Sequence, residues 1–402
     1  MGGVPRTRGP SPRRDRIAVS LVFAVHGTVT GTYASRLPWI AGHVHASPGV
    51  LGAAMITPTV GALLTMPFTS HLVHRLGGRT ALRLLLCLWT ASLAIPAAMP
   101  NVGALAAGLF VYGAASGVAD VMMNGQAVRI EARHGTSIMS GLHGMWSVGG
   151  IVGGLLGALF AGAGVSALPE FTVTAVLLTG AAVVASGLMP YDAELAGDAE
   201  REIRPPRFAL PPRAVLGIGL VGFCAVFAEG SGTNWSAVYL TDVTHASAAV
   251  GAYCVTGFAA TMALGRLTGD RLVRRLGPVW TVRLGGTLAV LGAVAIVAAR
   301  GPWLGIAGFA AMGLGIATGV PLAIAAAGRT GGDANLAVAG VTSITYTAGL
   351  LAGPSVGALG SAVSLPFSFG FVALLTCGMA WSAHTLRVGG ERTSAQPAAA
   401  AA

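Results

Sequence analysis

Residues 149–159 read GGIVGGLLGAL, and residues 349–359 read GLLAGPSVGAL. The two stretches lie 200 residues apart and share glycine at their first and fifth positions and a final Gly-Ala-Leu. Toward the N-terminus the same offset aligns Phe23 with Phe223, Gly77 with Gly277, Arg83 with Arg283, Gly108 and Gly113 with Gly308 and Gly313, and Arg129 with Arg329. A register without gaps from Phe23 to Leu159 predicts two halves of the same fold.

The composition is that of a membrane protein. Of the 402 residues, 54% are hydrophobic and only 9% are charged, and the mean hydropathy is +0.73. Soluble domains carry about 25% charged residues, so most of this surface is expected to face lipid. The net charge of +10 comes from arginines in short loops between apolar runs, and we therefore expect no nucleic-acid partner. The four cysteines lie inside apolar runs without metal-ligand spacing, which predicts no metal site and no cofactor.

Twelve apolar runs are long enough to cross a bilayer, for which a helix needs about 20 residues. We number them helices 1 to 12, at residues 17–41, 48–73, 79–99, 102–128, 138–162, 169–190, 213–240, 246–273, 279–299, 302–328, 336–361 and 365–387. The predicted parts are an N-terminal tail (1–16), a six-helix bundle (17–190), a charged, proline-rich linker (191–212), a second bundle (213–388) and a C-terminal tail (389–402).

Arginine placement predicts the orientation. With both termini cytoplasmic, all but two of the 24 basic residues fall at or near the inner side, as the positive-inside rule requires. The first apolar run is too long for a signal peptide and is expected to remain in the mature protein. These features predict a multi-pass protein of the bacterial plasma (inner) membrane, and we expect a monomer in contact with lipid.

The loop after helix 2 reads SHLVHRLGGR (70–79), and the loop after helix 8 begins DRLVRRLG (270–277). Both resemble the signature loop of the major facilitator superfamily, although Ser70 stands for a glycine, His74 for the acid and Gly78 for a base. The resemblance implies an all-α membrane protein with twelve transmembrane helices in two six-helix halves, the major facilitator fold. In this architecture the solute site lies between the halves, near the midplane.

The resemblance also implies a cytoplasmic gate that closes through charge contacts. Because the usual acid is missing, Asp270 and Glu131 are the candidates to replace it. The predicted gate residues are Arg75, Gly77, Arg79, Arg129, Glu131, Asp270, Arg271, Arg275 and Gly277.

A narrower resemblance covers helices 4 and 5. The segments DVMMNGQ (120–126) and MSGLHGMWSVGG (139–150), with Glu131 between them, are similar to the YbjJ-type inner-membrane branch of the superfamily. This likeness implies a transporter but no particular substrate.

Ionisable side chains inside a membrane span are costly, so they normally face a cavity or a partner. Glu229 lies nearest the middle of its helix of all the acids and is the predicted main proton-coupling carboxylate. The alternative is a structural ion pair between Glu229 and Arg36. Arg266 and Asp270, four residues apart on helix 8, are expected to form a local ion pair.

Asp120, Asn124 and Glu131 form one polar stripe on helix 4. The stripe fits either a cavity wall with a proton or cation site, or a hydrogen-bonded anchor to a neighbouring helix. His143 on helix 5 fits either a proton relay with Asp120 or a hydrogen bond in the contact between helices 4 and 5. Together with Glu229, Asp120 and His143 form the predicted proton-coupling group.

Polar side chains share one face of helix 1, and related positions of helix 7 are also polar. Two such stripes facing one space predict a solute pathway. For Arg36 the alternative is an outer headgroup contact, and for His26 it is a packed polar residue. The predicted pathway residues are His26, Thr30, Tyr33, Arg36, Asn124, Trp146, Thr233, Ser236 and Tyr346.

The function expected from these features is secondary active transport of a small solute by alternating access, coupled to protons. No nucleotide-binding or catalytic motif occurs, so no enzyme is expected. The acids Asp120 and Glu229 slightly favour antiport, with efflux of an amphipathic compound. The alternatives are proton-coupled uptake of a sugar-like or other polar metabolite, and a receptor on a transporter fold that moves nothing.

Overall fold

The computed structural model describes residues 12–134, 138–189, 215–330 and 334–387. In these ranges all regular structure is helical, and twelve helices are long and apolar enough to span a membrane. The predicted all-α, twelve-helix fold is therefore confirmed. The spans are Pro12–Ser35, Pro48–Phe68, Gly78–Ala98, Val102–Glu131, Gly141–Gly162, Ala167–Leu188, Leu216–Asp242, Ala248–Gly269, Arg271–Ala298, Pro302–Ala327, Leu336–Ala362 and Leu365–Leu386.

The predicted linker at residues 191–212 lies outside the described residues, as do most of the two predicted tails. Helix 1 was expected to continue to residue 41, but it ends at Ser35, and a separate short helix covers Leu37–His43. Arg36 between them has φ −108° and ψ 8°, and Pro38 stands in the first turn of the short helix. Proline is well suited to a first helical turn, which explains why a new helix begins there.

The two halves repeat the same backbone features at the same offset. Gly77 and Gly277 both have φ +76°, a conformation that only glycine adopts without strain. These glycines turn the chain between helices 2 and 3 and between helices 8 and 9. His45 and His245 both have φ +53°, and the following serines cap helices 2 and 8. The sequence repeat is therefore also a repeat of local structure.

The end of the bundle with the Gly77 and Gly277 turns carries most of the arginines, and we call it the basic end. The halves pack together at the opposite end. There the Gly49 N–H donates to Ser361 Oγ at 2.6 Å, and a Cβ added at Gly52 would lie 2.9 Å from Gly357 Cα. Helix 5 approaches helix 8 in the same region, where Gly154 faces Thr256.

Toward the basic end, polar side chains of helices 5 and 11 are exposed. His143, Ser343 and Thr347 are among them, and 55% of Tyr346 is exposed. The bundle is thus closed by glycine contacts at one end and open at the basic end.

Candidate functional site

A cavity lined by residues of both halves opens between them. Helices 1 and 5 form its first wall, and helices 7 and 8 form its second. Most of the lining is glycine, aromatic or aliphatic surface, and among the residues that the structure describes its charged side chains are one acid and one arginine of the second half. The lining residues are Gly27, Thr30, Gly31, Ala34, Trp146, Ser147, Gly150, Glu229, Thr233, Val255, Phe258, Ala259, Met262 and Arg266.

Glu229 and Arg266 form an ion pair in this cavity. Arg266 Nη2 lies 2.9 Å from Oε1 and 3.0 Å from Oε2 of Glu229, and each side chain is 25% exposed. Helices 7 and 8 are antiparallel neighbours, so residues of similar depth meet across them. Counted from their connecting loop, Arg266 starts about 7 Å deeper than Glu229, a gap that an arginine side chain spans.

This pairing corrects one expectation and leaves another as a prediction. Arg266 reaches across to Glu229, and the expected ion pair of Arg266 with Asp270 on its own helix stays a prediction. The side chain of Asp270 lies outside the described residues. The alternative pairing of Glu229 with Arg36 is wrong, because Arg36 has another acid beside it.

Arg36 pairs with Glu170 of helix 6 inside the first half. Its Nε lies 3.0 Å from Glu170 Oε2, its Nη2 donates to the carbonyl of Val165, and the two side chains are 3% and 0% exposed. The pair is buried between the end of helix 1, the loop before helix 6 and the first turn of helix 6. Arg36 therefore lies neither in the cavity nor at a headgroup, because the buried Glu170 holds it inside the bundle.

His26 and Tyr33 belong to an aromatic cluster of the first half. The His26 ring stacks on Trp89 at 5.1 Å, and its Nδ1 accepts a hydrogen bond from Trp146 Nε1 at 3.2 Å. Tyr112 lies 4.5 Å from Trp89 and 4.9 Å from Tyr33 between ring centroids. Both predicted pathway residues are buried, and Trp146 connects their cluster to the cavity.

Asp120 lies in a second polar group, on the side of helices 4 and 11. Asn124 Nδ2 donates to Asp120 Oδ1 at 3.2 Å and to the Asp120 carbonyl at 2.9 Å. Tyr346 lies within electrostatic reach of Asp120 from the other half. His143 lies instead within reach of Glu229 and Arg266, with its ring edge-on to Phe23 at 5.5 Å. His143 thus belongs with the ion pair of the cavity.

Comparison with known proteins identifies this arrangement. Residues 19–228 match the family model described as Major Facilitator Superfamily. The chain belongs to the major facilitator superfamily. An uncharacterised MFS-type transporter of Yersinia pestis is 35% identical over 377 residues, covering 92% of this chain and 95% of the relative. The uncharacterised transporter y4wD of Sinorhizobium fredii is 32% identical over 375 residues, covering 92% and 97%.

Solved transporters share the fold at low identity. The nucleoside transporter NupG superimposes with a TM-score of 0.73 at 11% identity, covering 92% of this chain and 98% of NupG. A bacterial homologue of the human lysosomal transporter Spinster, in an inward-facing and occupied conformation, gives 0.66 at 16% identity, covering 94% and 95%. The predicted family is confirmed, and the protein is a multi-pass membrane transporter. The narrower YbjJ-type likeness stays a prediction.

Two of the predicted gate residues hold helix ends of the first half. Arg79 Nε donates to the carbonyl of Ser186 at 3.2 Å, and Arg79 Nη2 donates to that of Gly187, at the end of helix 6. Glu131 Oε2 accepts from the N–H groups of Ile138 at 2.6 Å and Met139 at 3.1 Å, at the start of helix 5. A cation at a helix C-terminus and an anion at an N-terminus both match the helix dipole.

The other predicted gate residues lie at the basic end. The side chains of Arg75, Arg271 and Arg275 are exposed, and Arg129 is half-buried. A charged gate across the two halves remains a prediction for the opposite conformation. It is consistent with the exposure of these arginines while the basic end is open.

Three further predicted pathway residues lie on helices 1 and 7. Thr30 and Thr233 line the cavity, on helices 1 and 7 respectively. Ser236 is fully buried one turn further along helix 7 and does not line it. The sequence did not predict that Arg266 pairs with Glu229 in the cavity, and it did not predict any role for Glu170. The position of Glu170 after Pro169, in the first turn of a helix, was the available signal.

Proposed function

We propose that this protein is a proton-coupled secondary active transporter and that Glu229 is its coupling carboxylate. The observation that carries the proposal is the Glu229–Arg266 ion pair on the wall of the cavity between the halves. Charges are kept inside a membrane span only at a cost, and such groups normally mark a solute or proton pathway. This pair faces open space, where both a solute and a proton have access to it.

Alternating access is supported by the way in which the halves touch. At the closed end the contacts are made by small residues, such as Gly52 on Gly357 and Gly154 on Thr256. Two rigid bundles can separate along a seam made largely of small residues without unfolding. We propose that the basic end is cytoplasmic and that the structure corresponds to the inward-facing state in a bacterial plasma membrane.

The coupling step follows from the charges of the pair. Protonation of Glu229 removes its negative charge and weakens its hold on Arg266 Nη2. The guanidinium then becomes available to another group in the cavity. Loss of the proton restores the ion pair, so the occupancy of the cavity depends on the protonation of Glu229.

The lining supports an amphipathic solute, because Trp146, Phe258 and Met262 surround a single charged pair. The expected preference for efflux came from the unpaired charges of two acids. Arg266 neutralises the charge of Glu229, so of the two acids only Asp120 still favours efflux. Uptake of a polar metabolite is the second candidate, and the Asp120–Asn124 group with Tyr346 across the cleft favours it.

The test is solute transport by the protein in liposomes under an imposed pH gradient. The first measurement is a metabolite screen that records solute-induced proton movement with an internal pH dye. Glu229→Gln should insert normally, lose accumulation driven by the pH gradient and keep solute exchange. The matched control is Asp242→Asn, an exposed acid at the end of the same helix, which should behave as the wild type.

Proton-driven transport at wild-type rates by Glu229→Gln would refute the coupling role and move it to Asp120. Counterflow of a labelled solute separates a transporter from a receptor, since a receptor binds but does not exchange. The sign of the response in right-side-out and inverted vesicles gives the direction of transport.

A further inference from the structure

We propose that the transported solute is a carboxylate with an aromatic-sized apolar body, and that its anion takes the place of Glu229 on Arg266. This inference rests on the proposed coupling role of Glu229. In the step, Glu229 gains a proton and releases Arg266, and the carboxylate of the solute then accepts hydrogen bonds from the guanidinium. No covalent bond changes in this exchange of partners.

The geometry of Arg266 leaves room for such a ligand. Both carboxylate oxygens of Glu229 contact the same nitrogen, Nη2, in an end-on arrangement. The contact with Glu229 uses this nitrogen alone, and the side chain is 25% exposed in the cavity. A guanidinium presents five donors in a planar fork that matches a carboxylate in bidentate fashion. A ligand carboxylate could therefore take a bidentate geometry on Arg266 that Glu229 does not take.

The charge balance of the cavity selects an anion over a cation. With ionised Glu229 and Arg266 the pair is neutral, and protonation of Glu229 leaves one uncompensated positive charge in an apolar site. An anion removes that charge, whereas a cation bound to Glu229 would leave Arg266 unpaired beside it. Anion and proton are consequently bound at the same time, which means that they cross together, one proton for each monoanion.

The charges of the titratable groups around Glu229 also favour an anion over a cation. Arg266 faces it from helix 8, and His143 lies within electrostatic reach from helix 5. Helix 11 contributes Tyr346, which lies near Asp120, and helix 10 has no ionisable residue in its span. His26 of helix 1 is buried against Trp89. Protonation of His143 would add positive charge near the site and would strengthen its preference for an anion.

The remaining walls describe the body of the solute. Trp146 and Phe258 contribute aromatic surface, and Met262 contributes a flexible apolar side chain. In the same wall as Trp146, Gly27 and Gly31 pack helix 1 directly on the helix 5 backbone at Trp146 and Gly150, so this wall is a close-packed surface without bulky side chains at the glycines. Aromatic side chains and ligand rings pack well in offset or edge-on contact. An aromatic monocarboxylate fits both the charged and the apolar part of the cavity.

The probes for the test are benzoate, phenylacetate and indole-3-acetate, each compared with its neutral amide and with benzylamine. Thermal unfolding of the purified protein, followed over probe concentration at pH 5.5 and 7.5, gives the apparent affinity. At least one carboxylate should stabilise the wild type, more strongly at pH 5.5, and its amide should not. Glu229→Gln, which imitates the protonated acid, should bind that probe about tenfold more tightly at pH 7.5 and without pH dependence.

Arg266→Gln should weaken binding of the same probe by about tenfold to a hundredfold, as expected for a lost charged hydrogen bond. Arg283→Gln is the matched control, because Arg283 stacks on Trp280 away from the cavity and should leave the affinity unchanged. Equal binding by Arg266→Gln and wild type, tighter binding of benzylamine, or no stabilisation by any carboxylate overturns the inference. These outcomes leave the coupling role of Glu229 standing, which fails only if Glu229→Gln keeps proton-driven transport.

Discussion

Arg36 and Arg266 both lie at membrane depth, but their surroundings are opposite. Arg36 and Glu170 are enclosed by the first half, whereas Arg266 and Glu229 are each 25% exposed in the cavity. A buried pair must stay intact, because either charge alone would be left in a low-dielectric interior. An exposed pair can open, since water or a solute replaces the lost partner. We therefore assign stability to the first pair and transport to the second.

Breaking the buried pair should destabilise the protein. Arg36→Gln or Glu170→Gln should lower the free energy of unfolding by about 3 to 5 kcal/mol, because each variant leaves an unpaired buried charge. The double variant Arg36→Met with Glu170→Leu should recover most of the loss. Thermal unfolding in detergent measures the effect, and Arg300→Gln, an exposed arginine at the same end, is the control. Wild-type stability of both single variants would contradict the assignment.

The sequence identifies which residues are unusual but not always how they pair. Glu229 could be predicted as a cavity residue because it is an acid in the middle of an apolar run. Its partner could not be predicted, since Arg36 was a possible partner of Glu229 and Asp270 was a possible partner of Arg266. The choice depends on the rotation and relative depth of helices 7 and 8, which tertiary packing sets. Glu170 escaped notice because a first-turn acid is ordinarily a surface feature.

At the scale of elements, helices 2 and 11 form a close contact between the halves. Gly52 faces Gly357, and a Cβ at Gly357 would lie 2.5 Å from the carbonyl oxygen of Pro48. The twelve spans themselves were predictable, since hydropathy and length determine them. The details of their ends were not, and helix 1 shows why. Its apolar run continues past Arg36, but a change of backbone direction there divides it into two helices.

Filling the seam between helices 2 and 11 should prevent closure of that end. In Gly52→Leu the new side chain has no space beside Gly357, so the halves should stay apart there. We expect alkylation of a cysteine introduced at Ala46, in a background without the native cysteines, to accelerate severalfold. Gly42→Ala is the control, because nothing lies within 4 Å of a Cβ at that position. Unchanged alkylation in Gly52→Leu would show that this contact does not seal the closed end.

At the scale of the whole molecule, the repeat is symmetric in backbone and asymmetric in chemistry. At the 200-residue offset, Glu229 corresponds to Val29 and Arg266 to Met66, both apolar. The second half thus supplies the charged pair of the cavity, while the first half supplies Trp146 and the glycines at which helices 1 and 5 pack together. Two similar bundles can rock against each other, and the charge that responds to a proton needs to lie on only one of them.

The orientation of the molecule in the membrane follows from the position of the basic end. The described chain starts at Pro12 and ends at Arg387 at the basic end, together with the Gly77 and Gly277 turns. Because cytoplasmic loops retain arginine during insertion, this end should face the cytoplasm. Epitope tags at both termini should therefore be reached by antibody only after spheroplasts are permeabilised.

A cysteine at His45 or His245, at the opposite end, is the positive control and should react with an impermeant maleimide in intact cells. Surface labelling of either terminal tag on intact spheroplasts would contradict the orientation. It would also reverse the proposed inward-facing state, since the open end would then face outward. The proton would in that case reach Glu229 from the outside in this conformation, and the same labelling experiment therefore determines the side from which the coupling carboxylate is loaded.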